Sequence, residues 1–337
     1  MKLYKFGVML LGIWCSLIMA QTFPNKSVRM VVPYTTGGGT DAVARALAQQ
    51  LSKIWGQTVV VENRPGGATM IGADLVSKSP ADGYTLLFSD TATFVINQHL
   101  HPKMAYRPLV DFAPITNIVQ LAPVLAVSNA LPVNNVKEFL AYAKANPGKL
   151  SYASFGSGSY PHVISEQFKR MAQVDILHVP YKGSAAAVTD MIGGQLSMLI
   201  VTLSVFDQLE KAGKLKILAT ATEKRLPIRP DLPTIAESGV PGYAANVWFG
   251  LAAPSGTPDL ILDKIHADVN KVLSDPEFKA KSITAQALEP GGMSRSDFST
   301  MLRSEEVRWG NLVRDSGAKA EYIKRIILWN YTWLIKS

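Results

Sequence analysis

Apolar positions along the chain switch repeatedly between two periods. Val28–Val32 is a short β-branched run that reads as a buried strand, and Pro33 ends it. After Gly37, Gly38 and Gly39, the residues Val43, Leu47, Leu51 and Ile54 fall at i, i+4, i+8 and i+11, one face of a helix. The pattern predicts strand, glycine turn and helix in succession, with Thr40 or Asp41 as the helix N-cap. The same design recurs where a strand over 150–154 runs through Gly156, Ser157, Gly158 and Ser159 into a helix carrying Val163, Gln167, Arg170 and Met171. Strands are predicted over 57–62, 84–88, 175–179, 196–202 and 215–220, and helices over 71–78, 136–145, 185–192, 206–212 and 259–273. The apolar segment 112–127 reads as a strand pair or one long crossing strand, and further helices are predicted over 276–281, 294–301 and 302–316. Strands alternating with helices imply a parallel sheet, with ligands beyond the carboxyl ends of the strands.

Each glycine turn would present free backbone N–H groups and the positive end of a helix dipole, a seat for a small anion; the plain alternative is a tight turn with a capped helix. Neither turn has the spacing of the two common nucleotide loops, and Asp41 would repel a polyphosphate. The polar loop 89–93 should lie at the same sheet edge as the first turn, adding Ser89 and Thr91. Ser157 and Ser159 add hydroxyls, but Gly156-Ser157-Gly158 is not a nucleophile elbow. His162 shows no metal-ligand spacing with His99, His101, His178 or His266, so it reads as a ligand contact, a loop brace or a plain structural residue. Tyr181 belongs either to the cleft or to a structural turn, and Trp248 either walls the cleft or fills the core. No cofactor and no metal site is expected.

At 337 residues and 47% hydrophobic, the chain can hold two domains with real cores. Its net charge of +8 is spread over scattered Lys and Arg without interleaved aromatics, which makes a nucleic-acid reading weak and suits small anions at least as well. Residues 1–20 read as a secretory signal, with Lys2 and Lys5 ahead of an apolar stretch over 6–20 that is too short to span a bilayer comfortably. The only cysteine, Cys15, lies within it, so the exported chain has neither disulfide nor thiol chemistry.

Six stretches carry a family resemblance: 31–41 (VVPYTTGGGTD), 60–67 (VVENRPGG), 80–87 (PADGYTLL), 178–183 (HVPYKG), 233–243 (PTIAESGVPGY) and 248–254 (WFGLAAP). In this order they resemble the Bug family, extracytoplasmic solute receptors of tripartite tricarboxylate transporters, from Phe23 to Lys319. The resemblance implies an α/β periplasmic binding protein of two lobes, each a mainly parallel sheet flanked by helices. The ligand cleft lies between the lobes, which close like a flytrap. It implies a first lobe of 21–119 and 220–320, a second of 120–219, and an atypical tail over 321–337. Ligands of such receptors are small organic carboxylates held by backbone amides and hydroxyls. Carried over by position, the first lobe would offer Tyr34, Thr36, Gly38, Thr40, Asp41, Ser89 and Thr91, and the second Gly156, Ser157, Gly158, Ser159, His162 and Tyr181. Integral membrane transporter subunits, and a sensor kinase ectodomain, are the implied partners. Where many members place an acid near the cleft, in a Phe-Asp-Asn-Leu-Pro stretch of the second lobe, this chain reads Ile200-Val201-Thr202-Leu203-Ser204, with Val201 in place of the acid. The alternative is an extracytoplasmic hydrolase or lyase acting on a small acid, which would need an acid–base pair or a metal in the cleft.

Overall fold

Val28–Val32 forms the first strand (β1) of the computed structural model, which describes residues 23–181 and 183–316. Helix α1 (Gly39–Trp55) follows it and buries Val43, Leu47 and Leu51, as the spacing requires. Ile54 falls on that face by spacing yet is 36% exposed, because Trp55 takes the last core position. The helix starts earlier than expected. Gly38, with extended backbone, is the N-cap residue and no side chain caps it. Asp41 instead reaches back from the first turn.

The remaining strands are β2 (Val59–Asn63), β3 (Thr85–Asp90), β4 (Phe112–Gln120), β5 (Pro123–Ser128), β6 (Leu150–Ser154), β7 (Ile176–Pro180), β8 (Met198–Thr202), β9 (Leu215–Thr220), β10 (Trp248–Pro254) and β11 (Glu289–Pro290). They form two sheets, ordered β11-β4-β10-β3-β1-β2 and β7-β6-β8-β5-β9. Both sheets are mixed. Each has a parallel half at its glycine turn, where β1 pairs with β2 and β3, and β6 with β7 and β8. The chain-crossing strands β4, β5, β9 and β10 pair antiparallel. The segment 112–127 is thus two strands, one in each sheet. Helices α2 (Met70–Ser77), α3 (Val136–Ala145), α4 (Tyr160–Ala172), α5 (Ser184–Ile192), α6 (Asp259–Ser274) and α7 (Arg295–Ser316) flank the sheets. No glycine or proline separates Met301 from Leu302, so the two helices expected there are one, α7.

The two connections between the sheets run side by side. Leu121 N–H donates to Val247 O at 2.8 Å, Ala221 N–H to Pro123 O at 2.8 Å, and Ala245 N–H to Ala221 O at 2.8 Å. Between β9 and β10 the chain stays on the second sheet: Leu226 and Leu232 pack with Val124 and Val201, and Tyr243 Oη donates to Ile164 O at 2.9 Å. Strand β10, buried at every position, then sits in the middle of the first sheet. A Cβ on Gly250 would lie 2.6 Å from Phe298, so the glycine makes a slot for that ring, which meets Trp248 edge-on at 5.4 Å. Helix α7 packs on both α4 and the first sheet, with Trp309 fully buried and its Nε1–H donated to Glu305 at 2.9 Å.

Candidate functional site

The first glycine turn is held from inside the helix that follows it. The buried Asp41 carboxylate accepts from Gly37 N–H, Arg45 Nε and Asn63 Nδ2, each at 2.9 Å. Burial opposes its charge, but those bonds and the Arg45 charge hold its pKa below the usual value. With Asp41 engaged, the N–H groups at the helix start, Gly38, Gly39 and Thr40, are the donors that a helix beginning leaves without intrahelical acceptors. Thr40 is half-buried, and Thr36 is exposed with its hydroxyl on Asn63.

Behind the turn lies a buried acid that sequence reading passed over. Asp90, at the carboxyl end of β3, is wholly buried; it accepts from Tyr34 Oη at 2.5 Å and from Ala92 N–H at 3.0 Å. Burial pushes its pKa up to about 6 against the pull of these bonds. Burial, and then the nearby Asp90 charge, also raise Tyr34 and Tyr160, so the start of α4 in the second unit approaches the Tyr34–Asp90 pair of the first. Ser89 and Thr91 are wholly buried and engaged internally, Ser89 with Thr93 at 2.5 Å and Thr91 as acceptor of Trp248 N–H at 3.0 Å.

The second turn is similarly tied. Gly156 N–H donates to Ser154 Oγ at 3.2 Å, and Ser159 Oγ donates to Gly156 O at 2.7 Å. Gly158 N–H donates to His162 Nδ1 at 3.1 Å, which makes His162 a brace for the turn. Burial, then the charges of His178 and Lys169, push the His162 pKa down to about 3, so its ring is neutral and able to accept. His178 is a member of this cluster that the sequence did not single out: it stacks on His162 at 4.4 Å and on Tyr152 at 4.9 Å, and its Nε2 is 2.6 Å from Ser154 Oγ. The signal was its register opposite Tyr152 on neighbouring strands. Ser157 is half-buried, and neither its hydroxyl nor that of Thr40 has a partner among the described residues. Tyr181 turns to α5, donating to Asp190 at 2.7 Å. Val201 is wholly buried in the second sheet's core, and the next residue, Thr202, has a buried hydroxyl without a partner among the described residues. Lys182, residues 1–22 and the tail expected over 321–337 lie outside the described residues.

The two units touch at Gly158. A Cβ there would lie 3.3 Å from His101 Nε2 and 3.5 Å from both Ala68 Cβ and Asn97 Oδ1. Ala68 belongs to a strained turn in which four consecutive residues have positive φ: Gly66 (126°), Gly67 (56°), Ala68 (51°) and Thr69 (76°). For Ala and Thr this costs of order 1–3 kcal/mol each. Buried Asn97 holds the turn, donating to Ala68 O at 2.6 Å and Thr69 Oγ1 at 3.1 Å, and Thr93 Oγ1 donates to Thr69 Oγ1 at 2.7 Å. Pro65, Gly66 and Gly67 stand within the 60–67 motif, but the partners of this turn come from helical residues thirty positions later.

The family model described as tripartite tricarboxylate transporter family receptor matches residues 43–318. Protein BugT of Bordetella pertussis is 34% identical over 303 residues, 90% of this chain and 93% of the relative. Among solved structures, R. palustris Rpa4515 with adipate superposes with a TM-score of 0.84 at 37% identity, over 88% of this chain and 99% of that one. MatC from Rhodopseudomonas palustris with bound malate gives 0.80 at 30% identity, over 86% and 100%. The periplasmic binding protein BugD gives 0.81 at 32% identity, over 89% and 100%. These are binding receptors rather than enzymes, and the chain belongs to the tripartite tricarboxylate transporter receptor family, as its six motifs implied.

Proposed function

We propose that the protein is exported through its N-terminal signal, captures a small organic carboxylate between two lobes in the periplasm, and delivers it to membrane subunits of a tripartite transporter. The observation that carries this reading is that the second glycine turn and the helix after it approach the half built on the first sheet at two places, Gly158 beside Ala68, Asn97 and His101, and Tyr160 beside the Tyr34–Asp90 pair. The ligand charge would be met by the N–H groups of Gly38, Gly39 and Thr40 and the hydroxyls of Thr40 and Ser157, rather than by an arginine clamp. Hydrogen bonds to a charged group are worth roughly 1.5–3 kcal/mol each, so a few of them suffice for micromolar binding, about −8.2 kcal/mol. Asp41, His162, Ser159 and Gly156 hold the turns in shape, and Tyr34 anchors the first turn to Asp90.

The lobes hinge at the paired connections around 121–123 and 245–247. Residues 221–245, expected with the first lobe, travel with the second, because Leu226, Leu232 and Tyr243 pack there. The neighbours seen with adipate and malate support a dicarboxylate. A thermal-shift screen of the mature protein against mono-, di- and tricarboxylates tests the reading. An acid at 100 times its dissociation constant should add roughly 2.7 kcal/mol of stability. A panel in which no carboxylate shifts the transition would refute it.

A further inference from the structure

We infer that Asn97 and His101 form a hydroxyl-recognising subsite, so that the receptor selects a hydroxy-substituted carboxylate over its unsubstituted analogue. This rests on the receptor reading above and assigns the chemistry of its ligand. Asn97 is wholly buried, and both donors of its amide are committed to the Ala68–Thr69 turn. That fixes the amide's orientation and leaves Oδ1, an acceptor, with no partner among the described residues. His101 Nε2 is likewise buried without a partner among the described residues. The two atoms come from adjacent turns of one helical segment, and both face Gly158 across the contact between the units. A buried polar atom left unpaired is costly, and here two stand together at the contact between the units.

The pair narrows what can sit against it. Asn97 Oδ1 can only accept, so the ligand group must donate. His101 is held below its ordinary pKa by burial, and its neutral ring offers either a donor or an acceptor at Nε2 according to tautomer. With the imidazole proton on Nε2, a hydroxyl satisfies both residues, its one hydrogen going to Asn97 Oδ1 and its oxygen accepting from Nε2–H. An ionised carboxylate cannot donate to Asn97, and an ammonium cannot accept from His101. A site built to bond a hydroxyl discriminates strongly against the analogue that lacks it, because its own buried groups are then left unpaired.

The test is calorimetric titration of the mature chain with two matched pairs, malate against succinate and citrate against tricarballylate, each differing by one hydroxyl. In the pair whose carbon skeleton fits, the hydroxy acid should bind at least tenfold more tightly. His101→Phe should bring that ratio to about one, and the ratio within each pair, rather than the absolute affinity, is the quantity read. His101→Gln, whose amide reaches a similar position, should keep most of the preference. Equal binding of both members by the wild type, or an undiminished ratio in His101→Phe, overturns this inference and leaves the receptor reading intact. If no acid of any carboxylate panel binds the wild type, the receptor reading falls and this inference falls with it.

Discussion

Gly156 and Gly158 allow the effect of backbone strain to be separated from the effect of contact between the units. Both have positive φ, 104° and 92°, so a side chain at either is strained in every state of the protein. An L-residue in this region costs of order 1–2 kcal/mol. That lowers stability by an amount that should shift the melting temperature by a few degrees in a protein of this size. The surroundings differ. A Cβ at position 156 meets nothing within 4 Å, whereas one at 158 lies 3.3 Å from His101 and 3.5 Å from Ala68 and Asn97. In the closure proposed above, the second set of contacts is made only when the units come together, so it burdens the closed state alone. A few tenths of an ångström of forced separation in packed surroundings costs about 1–2 kcal/mol, near the low end of overpacking penalties. Gly158→Ala should therefore weaken carboxylate binding roughly 5- to 30-fold, and Gly158→Val, with two further methyl groups, should abolish it. Gly156→Ala should lose stability to a similar extent yet bind within about twofold of wild type. Calorimetric titration with thermal melts on the same samples reads both quantities. Equal losses of affinity in the two alanine variants, or none in Gly158→Ala, would refute the reasoning.

Two further outcomes follow from the buried charges. Asp90 is raised from 3.8 to about 6, so the folded chain holds this proton more tightly than the unfolded one. Its contribution to stability is full below about pH 4 and is lost as the pH rises through 6, a change of about 3 kcal/mol; Asp90→Asn should remove that slope from melts taken between pH 4 and 7, and a superimposable profile would count against it. Asp41→Ala, which frees Gly37 N–H and Asn63 Nδ2 together, should cost about 2 kcal/mol, while loss of half-exposed Arg45 should cost under about 1 kcal/mol; reversal of that order in denaturant titrations would show the turn is held otherwise.

Much of this architecture was legible in the chain. The β-branched run at Val28–Val32, the helical face of Val43, Leu47 and Leu51, and the repeat of that design before Val163 all stand where the periodicity puts them. Strand β10 was visible as a motif but not as a strand. It is buried on both faces and so shows no alternation, and Gly250 and Pro254 argue locally against a sheet that only Phe298 explains. The helix start moved to Gly39 because Asp41 serves the turn better as an acceptor for Gly37 than as a cap. Asp90 and Asn97 escaped notice, and His101 and His178 were weighed only as metal ligands, because their roles depend on partners far away in sequence: Tyr34, the Ala68 turn, Gly158 and Ser154.

The place of β10 also sets an order on folding. The second sheet is built wholly from residues 123–220, so every strand it needs has been synthesised before β10 exists. The first sheet is divided until then. Strands β2, β1 and β3 form one half and β4 the other, and the strand that joins them arrives some 130 residues after β4. Contacts so distant in sequence form slowly, and the unpaired edges of β3 and β4 stay open to wrong partners meanwhile. A newly made chain thus completes its inserted half first and depends longest on protection of the half that holds β1.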